Sequence, residues 1–292
     1  MLYNRLDWFS FIGGNRQHKV NVNYYIFWSV FMNYEIIVGI LVFLFGAVFG
    51  SFYNVVIYRL PAEMPITKGR SMCFSCKHTL GVLDLVPLFS YIFLGGKCRY
   101  CKAKFSPRYF FVELLTGLLF LLAYYKYSIS LEFLLMCIFF SMLVIVGFID
   151  WDTFYIYDDV LKIFAVLLGV VLVISKKTDI VPNILGAVIG AAIYAAIYFL
   201  SKIVFKQEAF GQGDIYLNAV IGLVIGSPYI AITSIFSFFV GLFFIIIFRI
   251  LGRKFEMRQE IPFGPYMCIS AVIISTFGNE MVRFYVDNFL YV

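Results

Sequence analysis

Two small acidic clusters interrupt a chain that is otherwise apolar, and they are its best candidates for chemistry. Asp214 closes the sequence FGQGD at residues 210–214, and Asp150 and Asp152 follow a long apolar run upstream. A carboxylate at the end of a membrane helix is costly to place, so each is a candidate functional group that needs a partner. The glycines before Asp214 lack Cβ atoms and let backbone or substrate come close. The two clusters favour an aspartyl protease dyad, although a helix cap or a solvated loop acid would also explain Asp214.

An aspartate pair can hydrolyse a peptide bond without a metal or a nucleophilic side chain. Two carboxylates about 3 Å apart cannot both ionise readily and therefore share one proton. One then acts as a general base on water while the other, protonated, polarises the peptide carbonyl. The chain has only two histidines, His18 and His78, and no GxSxG, HExxH or phosphate-loop sequence. A histidine-dependent triad is therefore hard to build.

Four cysteines form two Cys-x-x-Cys pairs about twenty residues apart, which is the spacing of a zinc site. They are Cys73, Cys76, Cys98 and Cys101. Four thiolates close a tetrahedral site and leave no open position, so the pattern predicts structural zinc. Two disulfides or unrelated thiols are the alternatives, and a reducing cytoplasm disfavours the disulfides. The remaining cysteines, Cys137 and Cys268, lie alone within apolar runs and fit core packing.

The composition indicates an integral membrane protein built from helices. Hydrophobic residues make up 62% of the chain and charged residues 14%, whereas soluble domains are about 45–50% apolar and about 25% charged. Lipid cannot satisfy open backbone groups, and the apolar runs are continuous rather than alternating as in a β-barrel. We therefore expect the lipid bilayer as a partner. The net charge of +6 fits membrane topology and needs no nucleic acid.

The apolar runs predict an all-α polytopic fold with about eight transmembrane helices. They lie at residues 36–58, 109–127, 131–149, 158–175, 182–200, 215–226, 230–248 and 262–279. The polar segment between the first two carries the cysteines and many basic residues, and the positive-inside rule places it in the cytoplasm. Counting crossings from there puts Asp150 and Asp214 on the cytoplasmic side too. The topology thus permits the two carboxylates to meet.

The same pattern divides the chain into four parts. We predict an N-terminal extension at 1–33, a first transmembrane helix at 34–58, a cytoplasmic zinc-binding domain at 59–108 and a transmembrane domain at 109–292 that carries the acids. The apolar piece within the extension is too short to span a bilayer, which takes about 20 residues. We expect Met32 to be the true start of the protein and the earlier residues to be upstream read-through.

Several motifs in a fixed order resemble those of the bacterial type IV prepilin peptidases. This family comprises bifunctional leader peptidase/N-methyltransferases of the GxGD aspartic peptidase group, A24. The motifs are GSFYNVVIYRLP at 50–61, the cysteine pairs, PRYFFVE at 107–113, the Asp150 cluster, FGQGD at 210–214 and IPFGP at 261–265. The resemblance implies that Asp150 and Asp214 are the catalytic pair. Asp152 is then the main rival to Asp150, and Asp158 is a helix N-cap.

The resemblance also implies substrates, cofactors and location. The substrates would be type IV prepilins and pseudopilins, whose short basic leader is cut on the cytoplasmic side, typically after glycine. S-adenosylmethionine would then methylate the new N-terminus, and zinc would occupy the cysteine site. The protein would be a multi-pass protein of the bacterial cytoplasmic membrane with its active site facing the cytoplasm. No S-adenosylmethionine site can be identified from the residues.

Two other functions remain open from the residues alone. One is a different GxGD intramembrane protease, and the other is a non-enzymatic transporter or assembly scaffold whose acids carry protons. The sequence also departs from the family pattern at three positions. Tyr157 replaces a usual proline, Tyr216 a usual lysine, and Phe74 a common proline after the first cysteine. None of these removes a proposed catalytic group.

Overall fold

A computed structural model describes residues 21–175, 179–205, 211–252 and 261–290, without the side chains of 21–33, 205 and 290. In these ranges the chain forms α-helices and no β-strands, so the predicted all-α fold is confirmed. The helices are α1 (Asn21–Arg59), α2 (Phe89–Phe93), α3 (Pro107–Tyr127), α4 (Leu131–Thr153), α5 (Asp158–Ser175), α6 (Val181–Phe205), α7 (Gln212–Ile225), α8 (Ser227–Ile250) and α9 (Gly264–Tyr285). A short 3₁₀ helix at Val82–Asp84 and a π-helical turn at Val286–Leu290 complete the set.

The chain divides into two units, residues 1–41 and 42–292. The described part of the first unit is helical backbone from residue 21 to residue 41. Residues 1–20 lie outside the described ranges, so the start at Met32 stays a prediction. Every residue of the candidate site belongs to the second unit.

Five described helices are long and apolar enough to cross a membrane. They cover Tyr34–Arg59, Pro107–Tyr127, Leu131–Thr153, Val181–Val204 and Ser227–Ile250. Each of the eight predicted runs lies on a helix, but the count of eight crossings is not confirmed. The 14 residues of α7 span about 21 Å, less than the roughly 30 Å hydrocarbon core of a bilayer. The chain is a multi-pass membrane protein.

Helix α4 is the central element of the second unit. The buried share of the most apolar stretch of α4 is 72%, whereas the corresponding share in the other four candidate spans is 28 to 44%. A helix that is apolar on all sides is a buried one, and Phe139, Phe140 and Met142 have almost no exposed surface. The last turn of this buried helix carries Asp150.

Small residues bring α6 and α7 into close contact. A Cβ atom on Gly186 would lie 2.3 Å from the carbonyl oxygen of Gly222, so no larger residue fits there. Asn218 on α7 donates hydrogen bonds to the Gly190 carbonyl at 2.8 Å and to the Ser234 hydroxyl at 2.9 Å. Such close packing and interhelical hydrogen bonds are typical of membrane helices. They hold α7, and therefore Asp214, in place.

Candidate active site and metal centre

Asp150 is a buried carboxylate held from a distant part of the chain. Its side chain lies in the last turn of α4 with 5% of its surface exposed. Its Oδ2 atom accepts a hydrogen bond of 2.9 Å from the backbone N–H of Gly264, the first residue of α9. A Cβ atom on Gly264 would lie 2.7 Å from that oxygen. Glycine is therefore the residue that allows the start of α9 to approach the acid.

Asp214 is equally buried, in the first turn of α7, with 8% of its surface exposed. Its Oδ2 atom accepts a 3.0 Å hydrogen bond from the backbone N–H of Gly211, which caps the helix. A Cβ atom on Gly213 would lie 2.7 Å from the Cβ of Ile156. The second glycine of the motif therefore lets α7 begin against the segment that follows α4.

The structure brings the two predicted acids together at one end of the helices. Asp150 and Asp214 lie close enough for their like charges to repel each other, and the Cys268 thiol on α9 interacts electrostatically with both carboxylates. Among the described residues, neither carboxylate forms an ion pair with a basic side chain. Two buried carboxylates that repel each other, with no basic side chain paired to either among the described residues, favour the sharing of one proton.

Asp152, the rival to Asp150, is placed differently. It is partly exposed and forms an ion pair with Arg108 at the start of α3. The Arg108 guanidinium also lies 5.5 Å from the centre of the Phe148 ring. Asp152 thus connects the ends of α3 and α4, while Asp150 faces the buried site.

The structure also places three further residues that the sequence singled out. Tyr216, which replaces a usual lysine, is 50% exposed. The ring of Tyr157 packs 4.9 Å from that of Tyr155. Asp158 is the first residue of α5, where a negative charge suits the positive end of the helix dipole.

The four predicted metal ligands come together in a single cluster. The Sγ atoms of Cys73, Cys76, Cys98 and Cys101 all lie within 4.8 Å of one another, and no two of them form a disulfide. Four ligands at about 2.3 Å from a tetrahedral zinc ion lie about 3.8 Å apart. The Cys73 and Cys101 sulfurs are separated by 3.8 Å. The cluster could hold a metal ion such as zinc.

The two cysteine pairs have matching backbone turns. In the first, the N–H of Cys73 donates to the His78 carbonyl at 2.9 Å, and Lys77 follows with a positive φ of 58°. In the second, the N–H of Cys98 donates to the Ala103 carbonyl at 2.8 Å, and Lys102 has a φ of 60°. Each turn aims backbone N–H groups at its sulfurs. A hydrogen bond from the backbone N–H of Cys76 is the main cause that lowers the pKa of the Cys73 thiol, which favours the thiolate that binds metal. At Cys101 a backbone hydrogen bond from Ala103 acts to lower the pKa, but burial and hydrogen bonds with the other thiols raise it.

Side chains between and beside the cysteines link the two turns. Arg99 Nε donates to Asp84 Oδ1 at 2.7 Å, and the Tyr100 hydroxyl donates to Asp84 Oδ2 at 3.2 Å. Desolvation acts to raise the pKa of Asp84, but the hydrogen bonds from Gly81 and Arg99 lower it below its ordinary value. The His78 ring lies 3.7 Å from the Tyr100 ring. No pattern in the sequence indicated these contacts, apart from the position of Arg99 and Tyr100 inside a cysteine pair.

Comparison with known families gives two consecutive matches. Residues 44–127 match the bacterial peptidase A24 N-terminal domain, and residues 137–246 match the type IV leader peptidase family. A prepilin leader peptidase/N-methyltransferase of Bacillus subtilis is 32% identical over 247 residues, which cover 84% of this chain and 97% of that protein. The chain belongs to the type IV leader peptidase family.

Other relatives agree with this membership. A prepilin leader peptidase/N-methyltransferase of Aeromonas hydrophila is 32% identical and covers 86% of this chain and 94% of its own length. One from Neisseria gonorrhoeae is 31% identical and covers 82% of this chain and 90% of its own length. No solved structure matches. The family expected from the sequence motifs is confirmed, and its two matched regions contain the cysteine cluster and both acids.

Proposed function

We propose that this protein is a membrane-embedded aspartic endopeptidase that removes the short basic leader of type IV prepilins and pseudopilins. The new N-terminus is then methylated with S-adenosylmethionine as methyl donor. One observation carries the proposal: two buried carboxylates, Asp150 and Asp214, lie together in a member of the leader peptidase family. A transporter or scaffold would not require this match, and the relatives named above are prepilin-processing enzymes.

The geometry supports a water-mediated cleavage by the two acids. Each carboxylate accepts one backbone N–H through Oδ2, from Gly264 and from Gly211 respectively. This leaves each Oδ1 for a water molecule or for the shared proton. One acid takes a proton from water, whose oxygen attacks the scissile carbonyl carbon that the protonated acid polarises. The C–N bond then breaks as the leaving amine takes up a proton.

The cysteine cluster would supply structure rather than catalysis. Cys73, Cys76, Cys98 and Cys101 would hold zinc, which cross-links the two turns of the segment between α1 and α3. Four thiolates leave no position for water or substrate. In small segments without a large core, such a metal contributes directly to folding.

The arrangement of helix ends supports a cytoplasmic site. The cysteine segment connects the end of α1 with the start of α3, and both acids lie at the ends of helices that lead back to that side. The segment also carries a surplus of lysine and arginine, which favours the cytoplasm. We propose that the leader is cut at the cytoplasmic face of the bacterial membrane. The apolar helix that follows the leader would remain in the bilayer.

Mass spectrometry of a processed prepilin tests both activities. Membranes containing the protein are incubated with a prepilin and S-adenosylmethionine, and the mass of the product is measured. The proposal predicts loss of the leader and gain of one methyl group at the new N-terminus. Several prepilins left intact would rule out the peptidase assignment, whereas cleaved but unmethylated products would restrict the protein to proteolysis.

A further inference from the structure

A cavity of about 370 Å³ lies outside the aspartate site, between the end of α1, the start of α3 and the cysteine segment. This volume falls within the roughly 300–1,000 Å³ of typical small-molecule sites. The wall combines acidic, basic and aromatic side chains. Neither the proposed proteolysis nor the cysteine cluster makes use of this space.

The cavity wall contains a buried acid, Glu113 on α3. Only 9% of its surface is exposed. Its Oε2 accepts a 2.8 Å hydrogen bond from the N–H of Leu88, and the Ser51 side chain also bonds the carboxylate. A Cβ atom on Gly50 would lie 2.7 Å from the Glu113 Cα, so this glycine brings α1 against the acid. The sequence motifs at 50–61 and 107–113 therefore meet in this wall.

Glu113 lacks a positive partner in the part of the chain that the structure describes. The ion pairs found there involve other acids. An ionised carboxylate can accept about four hydrogen bonds, and Glu113 has two. A buried charge without a counter-ion is costly. A ligand with a positive charge would remove this cost.

Aromatic rings and basic groups complete the wall. The rings of Tyr58 and Phe74 lie 4.9 Å apart, and those of Tyr91 and Phe110 lie 5.4 Å apart. Such rings stack on a flat heterocycle and attract a cation to their faces. Lys97 also lines the cavity and could pair with a ligand carboxylate.

We propose that this cavity binds S-adenosylmethionine, with Glu113 facing its positive charge and the aromatic rings holding its adenine. The proposal rests on the methylation step of the proposed function and assigns that step a site. The ligand carries an aromatic base, positive charge on a sulfonium and an ammonium, and a carboxylate, for which the wall offers aromatic rings, the Glu113 carboxylate and the Lys97 ammonium.

A second cavity of about 360 Å³ adjoins the first. Asn54, Tyr58 and Tyr109 line both cavities. The far side of the second cavity is formed by Asp152 and Thr153, which follow Asp150 along α4. The second cavity therefore lies between the proposed donor site and the end of α4 that carries Asp150.

The methyl transfer balances without a further reactant. The N-terminal ammonium first loses a proton to water. Its nitrogen then bonds the methyl carbon while the carbon–sulfur bond breaks and its electron pair stays on sulfur. Positive charge passes from the sulfonium to the amine, and Glu113 stabilises the charge before transfer.

Direct binding tests the site. The zinc-loaded full-length protein in lipid nanodiscs is titrated with S-adenosylmethionine by calorimetry. Glu113→Gln should raise the Kd about tenfold or more, because a charge-assisted contact is lost. Glu132→Gln, at an exposed position at the start of α4, should leave the Kd unchanged. If Glu113→Gln binds S-adenosylmethionine as tightly as Glu132→Gln does, the assignment of the site is overturned.

A second pair of variants and a labelling experiment cover the case in which Glu113→Gln does not fold, as judged by zinc content and thermal unfolding. Tyr58→Ala should weaken binding several-fold, while Tyr125→Ala on the exposed side of α3 should not. Ultraviolet cross-linking of radiolabelled S-adenosylmethionine should label peptides within residues 51–113. Label confined to residues 181–250 would overturn the site.

The outcomes separate this proposal from the proposed function. If the native protein cleaves prepilin but neither binds S-adenosylmethionine nor methylates the product, the methyltransferase assignment is contradicted. The proposed donor site is then contradicted as well. A native protein that binds and methylates, with unchanged affinity in Glu113→Gln and Tyr58→Ala, contradicts the site alone. Weaker prepilin binding in those variants, at unchanged S-adenosylmethionine affinity, would assign the cavity to the substrate leader instead.

Discussion

The carboxylate of Asp150 at the end of α4 and the backbone N–H of Gly264 at the start of α9 form a 2.9 Å hydrogen bond. This bond joins residues 114 positions apart and orients one acid of the proposed pair. It also makes the start of α9 part of the site, although α9 contributes no catalytic side chain. The position admits no side chain, because a Cβ there would lie 2.7 Å from the accepting oxygen.

Gly264→Ala should therefore impair cleavage by displacing the Asp150 carboxylate. We expect a loss of about tenfold or more in the rate of prepilin cleavage, since small misplacements of catalytic groups are costly. Gly169→Ala is the matched control, because a Cβ at Gly169 on α5 would meet nothing within 4 Å. Cleavage by Gly264→Ala at the native rate would show that this contact does not position the acid.

Asp152→Asn should lose at most a few-fold of cleavage activity. Asp152 is partly exposed and paired with Arg108, and exposed ion pairs contribute about 0–1 kcal/mol to stability. The measurement compares initial cleavage rates in membranes at equal protein levels. A complete loss of activity in Asp152→Asn together with an active Asp150→Asn would exchange the roles of the two acids.

Cys73→Ser or Cys98→Ser should remove zinc and reduce methylation more than proteolysis. Both cysteines belong to the segment that lines the proposed donor cavity, whereas the aspartates lie on α4 and α7. Elemental analysis gives the zinc content, and product mass gives the two activities. The control variant Cys137→Ala lacks a buried thiol on α4 that is not part of the cluster, and this protein should keep its zinc. A Cys73→Ser protein that stays metal-loaded, or loses only proteolysis, would contradict the expectation.

Gly213→Ala should also lower cleavage, through the packing of α7. A Cβ there would lie 2.7 Å from the Cβ of Ile156, so α7 must shift and carry Asp214 with it. Circular dichroism and zinc content confirm that the variant folds, and the cleavage rate reports the shift. A fully active Gly213→Ala would mean that the second glycine of the motif has no positioning role.

Much of the fold and site follows from local patterns in the sequence. Apolar run lengths predicted the helices, and the spacing of Cys73 to Cys101 predicted the cluster, because a tight turn places both thiols of each pair. The GxGD sequence marked Asp214, and membrane topology placed Asp150 at the same end. These properties depend on neighbouring residues or on counting crossings.

Local sequence patterns could not predict the contacts between distant segments of the chain. The bond from Gly264 to Asp150 needs the packing of α9 on α4, and the link from Arg99 to Asp84 needs the folded cysteine segment. Two helices also extend beyond the predicted apolar runs: α4 continues to Thr153 and α7 begins at Gln212. Both acids therefore lie inside helices rather than beyond their ends. The number of crossings depends on α5, α7 and α9, which are not among the five described helices that are long and apolar enough to cross a membrane.

The catalytic role of the two acids is tested by comparing prepilin cleavage in membranes by the native protein with cleavage by Asp150→Asn and Asp214→Asn. Each change keeps the size of the side chain and removes its ionisable acid, so insertion and zinc content should be retained. We expect the native protein to trim the leader and neither variant to do so. Trimming by either variant at more than a trace of the native rate would contradict the aspartate pair.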